Sequence, residues 1–302
     1  MEIKKLKDLL DGSDKKGMKL AVVACHDEEV LAAVVESKRL GIADPILIGD
    51  KEKTFKIAKE IGLDIKEFNI IDEKDLTLAA EIGVKMVSSG EANFIMKGLV
   101  DTSILLKAVL NKEWGLRTDS LISHVMMYEI PNYEKLIYLT DGGMNLQPTF
   151  EDKVKIIENA VVVAKALGKK EVKVACLAAK EKIDPKMPAT VDAGLLKSRY
   201  EEGKFSEGTI VDGPMALDLA VSLSSAEIKG YNSPVAGDAD ILLVPNIEMG
   251  NGIGKSITYF AGGKSAGIVM GAKAPIVLVS RADDHEAKLY SIALGSAIAN
   301  YM

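Results

Sequence analysis

The sequence predicts an α/β fold built largely on parallel strands, and three observations lead to this prediction. Short runs rich in β-branched residues alternate with segments of helical period along the 302 residues, which is typical of βαβ units. The hydrophobic content of 48% is sufficient for a sizeable core. Polar residues directly follow several predicted strands, where α/β proteins bind their ligands. From the length we expect two domains.

The N-terminal segment predicts a short helix, a strand and a second helix. The opening "MEIKKLKDLLDGSDKKG" predicts a short amphipathic helix and lacks the apolar centre of a signal peptide. The run "MKLAVVAC" at 18–25 predicts a strand. The segment "DEEVLAAVVESKRLG" at 27–41 predicts the helix that follows, because acidic residues occupy its first turn and Gly41 ends it.

The later elements repeat this pattern. Further strands are predicted at "PILIGD" (45–50), "ANFIMKG" (92–98), "KLIYLTDGG" (135–143), "VKVACLAA" (172–179), "ADILLVPN" (239–246) and "PIVLVSR" (275–281). A crossover helix is predicted between Thr149 and Gly168, because Val154, Ile157 and Val161 share one face. The segment "DDHEAKLYSIALGSAIANYM" predicts the final helix.

Composition and charge exclude several classes of protein. The formal net charge is -6 and no basic block occurs, so we expect no nucleic-acid partner, and local Arg or Lys side chains must hold any anionic ligand. No apolar run approaches the roughly 18 residues of a membrane span. Cys25 and Cys176 lie in separate apolar runs, which favours buried thiols in a reducing compartment over a disulfide or a zinc site. We therefore expect a cytoplasmic protein.

The glycine-rich segment "NIEMGNGIGKSITYF" at 246–260 is close to an ATP-binding pattern. The P-loop pattern GxxxxGK[ST] requires a glycine where this chain has Met249, so the backbone would not wrap around nucleotide phosphates. We expect instead a loop after the strand "ADILLVP", in which glycines allow close approach of the backbone to another group.

Five predicted strands are followed directly by glycines or by polar and charged residues that could bind a ligand or take part in catalysis: His26, Lys97-Gly98, Asp141-Gly142-Gly143, Asn246 and Ser280-Arg281. Each alone is better explained by a strand that leaves the core, but together they predict a ligand-binding cleft.

The segment Ser280-Arg281-Ala282-Asp283-Asp284 offers a hydroxyl, a guanidinium and two carboxylates at the start of the last helix. One aspartate is expected to cap this helix, and the other is available for catalysis. No GxSxG elbow, catalytic triad or HxxxH pair occurs. The residues thus favour chemistry by positioning, anion binding and one general base.

Taken together, the motifs resemble the phosphate acetyl/butyryltransferase family, and its butyryl-type members in particular. They are "MKGLVDTS" (96–103), "GLRTDSLISHV" (115–125), "YLTDGGMN" (138–145), "KMPATVDA" (186–193), "VDGPMALDLAVS" (211–222), "SPVAGDADILLVPNIEMGN" (233–251) and "GAKAPIVLVSRAD" (271–283). The resemblance is dense over residues 90–300 and loose over the N-terminal third.

The resemblance implies two three-layer α/β domains with a cleft between them, as in the isocitrate and isopropylmalate dehydrogenases. Residues 1–137 with 272–302 would form domain I, and residues 138–271 domain II. It also implies reversible transfer of an acyl group from butyryl-CoA to inorganic phosphate in a ternary complex, without a covalent enzyme intermediate. Coenzyme A thioester is then a substrate and no cofactor is permanently bound. A homodimer or higher homo-oligomer is implied, with an acyl kinase as pathway neighbour.

Residue roles carry over by position. Ser280 and Arg281 match a catalytic pair of the acetyl-type relatives, whereas the relatives' acid falls on Ala287, leaving Asp283, Asp284 and Glu286 as substitutes. The resemblance and the strand ends together give these substrate-binding candidates: Lys97, Gly98, Thr102, Ser103, Arg117, His124, Asp141, Asn246, Gly250, Asn251 and Lys255. Asp101 stands where butyryl-type members commonly have His.

Three alternatives remain open from the sequence. Acetyl-CoA is a possible substrate, because one methylene discriminates by only about 1 to 3 kcal/mol. A non-catalytic acyl-CoA sensor on the same scaffold is a second alternative. An oxidoreductase of the dehydrogenase relatives is a third, disfavoured because the chain has neither GxGxxG nor a matching set of metal-binding carboxylates.

Overall fold

The computed structural model describes residues 2–11, 18–280 and 283–302, and these form a mixed α/β fold. The strands are β1 (Met18–Val23), β2 (Ala43–Gly49), β3 (Asn69–Asp72), β4 (Phe94–Lys97), β5 (Ser123–Glu129), β6 (Ile137–Thr140), β7 (Val172–Leu177), β8 (Thr209–Met215), β9 (Ile241–Leu243), β10 (Lys264–Met270) and β11 (Ile276–Val277). The helices are α1 (Asp8–Asp11), α2 (Glu28–Arg39), α3 (Lys51–Glu60), α4 (Leu76–Ser88), α5 (Thr102–Val109), α6 (Phe150–Ala166), α7 (Pro188–Glu201), α8 (Leu217–Val221), α9 (Leu223–Ile228), α10 (Ile247–Ala261) and α11 (His285–Tyr301).

Internal contacts divide the chain into two compact units. The first unit comprises Leu6–Ser120 and Ser265–Met302, and the second comprises Met1–Lys5 and Leu121–Lys264. The sequence placed the changes at 137/138 and 271/272 instead. β5 joins the second unit because it pairs with β6 as an antiparallel hairpin, a pairing that the sequence did not reveal. The division into domains proper stays a prediction.

The first unit has the strand order β3-β2-β1-β4-β11-β10. β1, β2, β3, β4 and β11 run parallel, and β10 is antiparallel to β11. Val23 pairs with Lys97, and Met96 pairs with Val277. The carboxyl ends of β1, β4 and β11 therefore lie at one edge of this sheet.

The second unit has the strand order β5-β6-β9-β7-β8, with β5 antiparallel to the others. Leu243 pairs with both Thr140 and Cys176, so β6, β9 and β7 also end at a common edge. One face of this sheet packs against α8, α9 and α10 through Leu219, Ala226 and Ile253. The parallel architecture predicted from sequence is thus present but mixed, because β5 and β10 run the other way.

Local chemistry explains where the helices begin. In α2 the Asp27 side chain accepts a hydrogen bond from the Val30 amide at 2.9 Å, and the buried Leu31 and Val34 face the core. In α6 Thr149 and Asp152 form a reciprocal capping box. Such caps satisfy amide groups that have no partner within the helix. Both helices start where the sequence predicted.

One local prediction was confirmed and one was wrong. The short helix predicted at the N-terminus is present as the four-residue α1, and residues 12–17 lie outside the described part. The segment 246–260 is not a loop but most of helix α10. Glycines favour loops in sequence-based prediction, whereas here tertiary packing holds them in a helix. In the described ranges, no helix combines the length and apolarity needed to cross a bilayer.

Candidate functional site

The carboxyl end of β6 carries a turn organised by the buried Asp141. Its Oδ1 accepts hydrogen bonds from the Gly143 and Met144 amides at 2.8 and 2.9 Å. Its Oδ2 accepts from the His124 amide at 3.2 Å and from Asn145 Nδ2 at 2.6 Å. Four donors on one carboxylate fix the turn. Asp141, predicted to contact substrate, thus binds three main-chain amides and the Asn145 side chain.

Helix α10 begins next to this turn. Asn246 caps the helix by accepting a hydrogen bond from the Met249 amide at 3.0 Å. The Ile247 amide donates to the Leu146 carbonyl at 3.1 Å, which joins the helix to the segment that follows the turn. The start of α10 is thereby fixed at the carboxyl edge of the second unit.

The glycines of α10 are explained by close packing. A Cβ at Gly250 would lie 2.6 Å from Gly142 Cα, and one at Gly254 would lie 2.5 Å from Tyr128 Oη. At Gly252 a Cβ would meet nothing within 4 Å. The close approach predicted for these glycines is thus to the protein's own chain at two of the three positions.

The remaining candidates of the second unit differ in exposure. His124 lies on β5 and is partly buried, and its carbonyl accepts a hydrogen bond from Thr140 Oγ1 at 2.8 Å. Asn251 and Lys255 lie on exposed positions of α10. The Lys255 ammonium stands 5.9 Å from the centroid of the Tyr259 ring, a contact of the cation–π type. Asn251 and Lys255 are accessible to a ligand.

In the first unit, Lys97, predicted to follow the strand, is the last residue of β4, and Gly98 begins the turn after it. Lys97 is 6% exposed, and its Nζ donates to the carbonyls of Gly98 and Val100 at 3.2 and 3.1 Å. A Cβ at Gly98 would lie 2.3 Å from the Ala24 carbonyl oxygen, so only glycine lets this turn approach the end of β1. Lys97 holds the turn in shape.

Three further candidates of the first unit are accessible. Thr102 is partly buried and Ser103 exposed, and both lie in the first turn of α5. Arg117 is exposed and follows the buried Leu116, whose carbonyl accepts a hydrogen bond from the Lys273 amide at 2.8 Å. These side chains can meet a solvent-borne ligand without rearranging the core.

The segment after β11 contains the predicted catalytic residues. Ser280 is exposed, and its amide donates to Asp283 Oδ2 at 2.9 Å. Asp284 caps α11 by accepting from the Ala287 amide at 2.9 Å. Asp284 is thus the cap that the sequence required of one of the two aspartates. Arg281 lies outside the described residues.

One buried side chain near this segment was missed by sequence reasoning. Lys288 is 3% exposed, and its Nζ donates to the Asp283 carbonyl. The signal available was a lysine four residues after the capping Asp284, in the part of α11 that also carries the buried Leu289 and Ile292. Lysines are rarely fully buried unless they have a partner, so a lysine within an apolar pattern indicates a specific role.

The end of β1 supplies a histidine and a thiol that do not pair. Cys25 is buried with its Sγ 3.5 Å from Thr54 Oγ1, and burial raises the pKa of its thiol. Burial, with the charge of Lys53, lowers the pKa of His26, so its imidazole is neutral at pH 7. In the described part of the chain no group of three His, Cys, Asp or Glu side chains could hold a metal ion.

Comparison with known proteins extends these observations. A family model described as phosphate acetyl/butaryl transferase matches residues 73–296. The phosphate butyryltransferase of Clostridium acetobutylicum is 46% identical over 285 residues, which cover 94% of each chain. The phosphate acetyltransferase of Thermotoga maritima is 42% identical over 294 residues, which cover 97% of this chain and 99% of that protein.

A solved structure of similar fold supports the same family. The crystal structure of a branched-chain phosphotransacylase from Enterococcus faecalis superimposes with a TM-score of 0.83 at 33% identity, and covers 93% of this chain and 99% of that one. The resemblance seen in the motifs is therefore confirmed over nearly the whole length, including the N-terminal third. The chain belongs to the phosphate acetyl/butaryl transferase family.

Proposed function

We propose that this protein is an acyltransferase that converts butyryl-CoA and inorganic phosphate reversibly into butyryl phosphate and CoA. The observation that carries the proposal is its 46% identity, over 94% of both chains, to a phosphate butyryltransferase. Acetyl-CoA is the second candidate substrate, favoured by the 42% identity to a phosphate acetyltransferase. Coenzyme A thioester is a substrate in this scheme, and no permanently bound cofactor takes part.

The proposed reaction is a direct transfer in a ternary complex. A phosphate oxygen attacks the thioester carbonyl, Ser280 donates to the developing oxyanion, and Arg281 holds the phosphate. The C–S bond then breaks, and the CoA thiolate leaves with the bond's electron pair and takes up the proton that the attacking phosphate gives up. In the reverse direction a carboxylate removes the thiol proton, which is worth roughly a hundredfold to ten-thousandfold. Both cysteines are buried, which supports a route without an enzyme thioester.

Asp283 is the better candidate for that carboxylate. Asp284 is committed to the cap of α11, and a cap that loses its charge weakens the helix. Asp283 adjoins the reacting segment and has one oxygen bonded to the Ser280 amide. We assign Asp283 the role of general base and Asp284 that of positioning the helix.

The substrate-binding candidates divide into two groups by their contacts. Lys97, Gly98, Asp141, Asn246 and Gly250 hold main chain or allow it to pack closely, and we propose that they position the site. His124 is joined to Asp141 and Thr140 through its own amide and carbonyl, and we propose that it belongs to this group. Arg117, Thr102, Ser103, Asn251 and Lys255 are accessible, and we propose that they contact CoA or phosphate.

We further propose a fold of the isocitrate/isopropylmalate dehydrogenase type with two domains, a homodimer or higher homo-oligomer, and an acyl kinase as pathway neighbour. Similarity to the family supports these four proposals. We also propose a cytoplasmic location. The free thiols of Cys25 and Cys176 support a reducing compartment.

The test is an assay of free thiol with a chromogenic reagent. The protein is incubated with butyryl-CoA, with and without inorganic phosphate, and then with acetyl-CoA. We expect thiol release that requires phosphate and is faster with butyryl-CoA at equal concentration. Release without phosphate would indicate a thioesterase, and no release with either thioester would favour the non-catalytic sensor.

A further inference from the structure

Lys288 is a buried cation at an unfavourable place in its helix. It is the fourth residue of α11 and only 3% exposed. Burial of an ammonium removes its hydration, and the positive end of the helix dipole lies within one turn. Both effects disfavour a charge here, so its neighbours must compensate it.

The described residues give this ammonium no carboxylate partner. Its Nζ donates a hydrogen bond to the Asp283 carbonyl oxygen, which carries a partial charge rather than a full one. The Lys288 amide also donates to the Asp284 carbonyl at 3.2 Å. The residue is therefore attached by side chain and main chain to the segment just before the helix.

Two hydrogen bonds connect Ser280 with Asp283 in the residues before the helix. The Ser280 amide donates to Asp283 Oδ2 at 2.9 Å, and the Asp283 amide donates to the Ser280 carbonyl at 3.2 Å. With its carbonyl held by Lys288, Asp283 is bonded at its amide, carboxylate and carbonyl. Lys288 thus adds a third contact to the two hydrogen bonds that orient Asp283 relative to Ser280.

We propose that Lys288 is a positioning residue for the acyl-transfer site: it holds Asp283 against Ser280, and its charge is balanced by the phosphate group of the bound substrate. This inference rests on the proposed function. It explains why a lysine occupies a position where methionine would fill similar volume without the cost of a buried charge. It also gives a chain of net charge -6 a fixed cation beside the phosphate.

The variants separate charge from packing. Lys288→Met removes the charge and keeps the volume, whereas Lys288→Arg keeps the charge. Lys59→Met is the matched control, because Lys59 is an exposed lysine of α3 in the same unit. For each purified protein we would measure kcat, the KM for phosphate and for butyryl-CoA, and the rise in melting temperature caused by phosphate at constant ionic strength.

We expect Lys288→Met to remain folded, with kcat/KM for phosphate about tenfold to a hundredfold lower, the range of one charge-assisted hydrogen bond. The KM for butyryl-CoA should change less than threefold. The phosphate-induced rise in melting temperature should be lost, and Lys288→Arg should restore part of both. If Lys288→Met does not fold, the loss of phosphate-induced stabilisation in a Lys288→Gln variant decides instead.

Kinetic constants and phosphate stabilisation within twofold of Lys59→Met would overturn the inference. An equal rise in both KM values without rescue by arginine would also overturn it, because a general structural defect has that effect. The two proposals fail separately. A wild-type protein that is stabilised by phosphate through Lys288 but transfers no acyl group would refute the acyltransferase and leave the anion site standing.

Discussion

At the scale of single residues, charged side chains that were predicted to contact substrate hold the backbone of the site. Lys97 binds two carbonyls of the turn after β4, and Asp141 accepts four hydrogen bonds in the turn after β6. Strand-end polar residues thus hold the turns at these strand ends, and their contact with substrate stays a prediction. The proposed catalytic centre is Ser280 and Arg281.

The Arg281→Ala variant tests that centre. We expect turnover to fall by at least about a hundredfold, because a positioned guanidinium stabilises charge that develops in the transition state. The circular dichroism spectrum should not change. Arg39→Ala is the control, since Arg39 is exposed on α2 and pairs only with Glu36 at 3.2 Å in the described structure. Near-normal turnover in a folded Arg281→Ala protein would refute the assignment.

At the scale of elements, α10 is the clearest case in which tertiary packing overrides local preference. Three glycines disfavour a helix, yet residues 247–261 are helical from the Asn246 cap to Gly262, which ends the helix in a left-handed conformation. Gly250 and Gly254 let the helix approach Gly142 and Tyr128. The helix can lie this close to the sheet only because those side chains are missing.

Two alanine substitutions in α10 should have opposite effects. Gly250→Ala should lower the free energy of unfolding by about 1–3 kcal/mol, because its methyl group would overlap the Gly142 backbone. Gly252→Ala meets nothing within 4 Å and should raise it by about 0.5–1 kcal/mol through better helix propensity. Urea titration of both variants measures the difference. Equal effects of the two substitutions would contradict the packing described for this helix.

Elements with local sequence signals could be predicted, whereas features that depend on distant contacts could not. Elements whose signals are local, such as α2 with its Asp27 cap, α6 with its Thr149 cap and β4 with its apolar run before Gly98, were predicted from their own residues. The antiparallel pairing of β5 with β6, the helix at 247–261 and the burial of Lys288 depend on contacts distant in sequence. Of the site, Asp284 as helix cap followed from local spacing, whereas the contacts of Asp141 did not.

At the scale of the whole molecule, each of two compact units carries a sheet whose parallel strands end at one edge. The first unit places Lys97 at the end of β4, Gly98 directly after it, and Ser280 and Asp283 after β11. The second places Asp141 and Asn246 after β6 and β9. Similarity to the family extends over both units. The fold therefore supplies two rigid edges on which the proposed residues are mounted.

The cysteines of both units should be silent in a thiol assay. Cys25 and Cys176 are buried, and burial raises the pKa of both thiols, so the reactive thiolate is scarce at pH 7 to 8. We expect the native protein to consume almost no chromogenic thiol reagent, and the denatured protein to consume two equivalents. Rapid labelling of the native protein would show that one of these cysteines is accessible.

The most direct test of the central claim is the stoichiometry of the reaction. The protein is incubated with butyryl-CoA and inorganic phosphate while free thiol and acyl phosphate, trapped as its hydroxamate, are measured in the same samples. Acyl transfer to phosphate predicts one acyl phosphate for each thiol released. The reverse reaction, started from butyryl phosphate and CoA, should reach the same equilibrium constant. Release of thiol without acyl phosphate, or no release at all, would contradict the acyltransferase proposed for this protein.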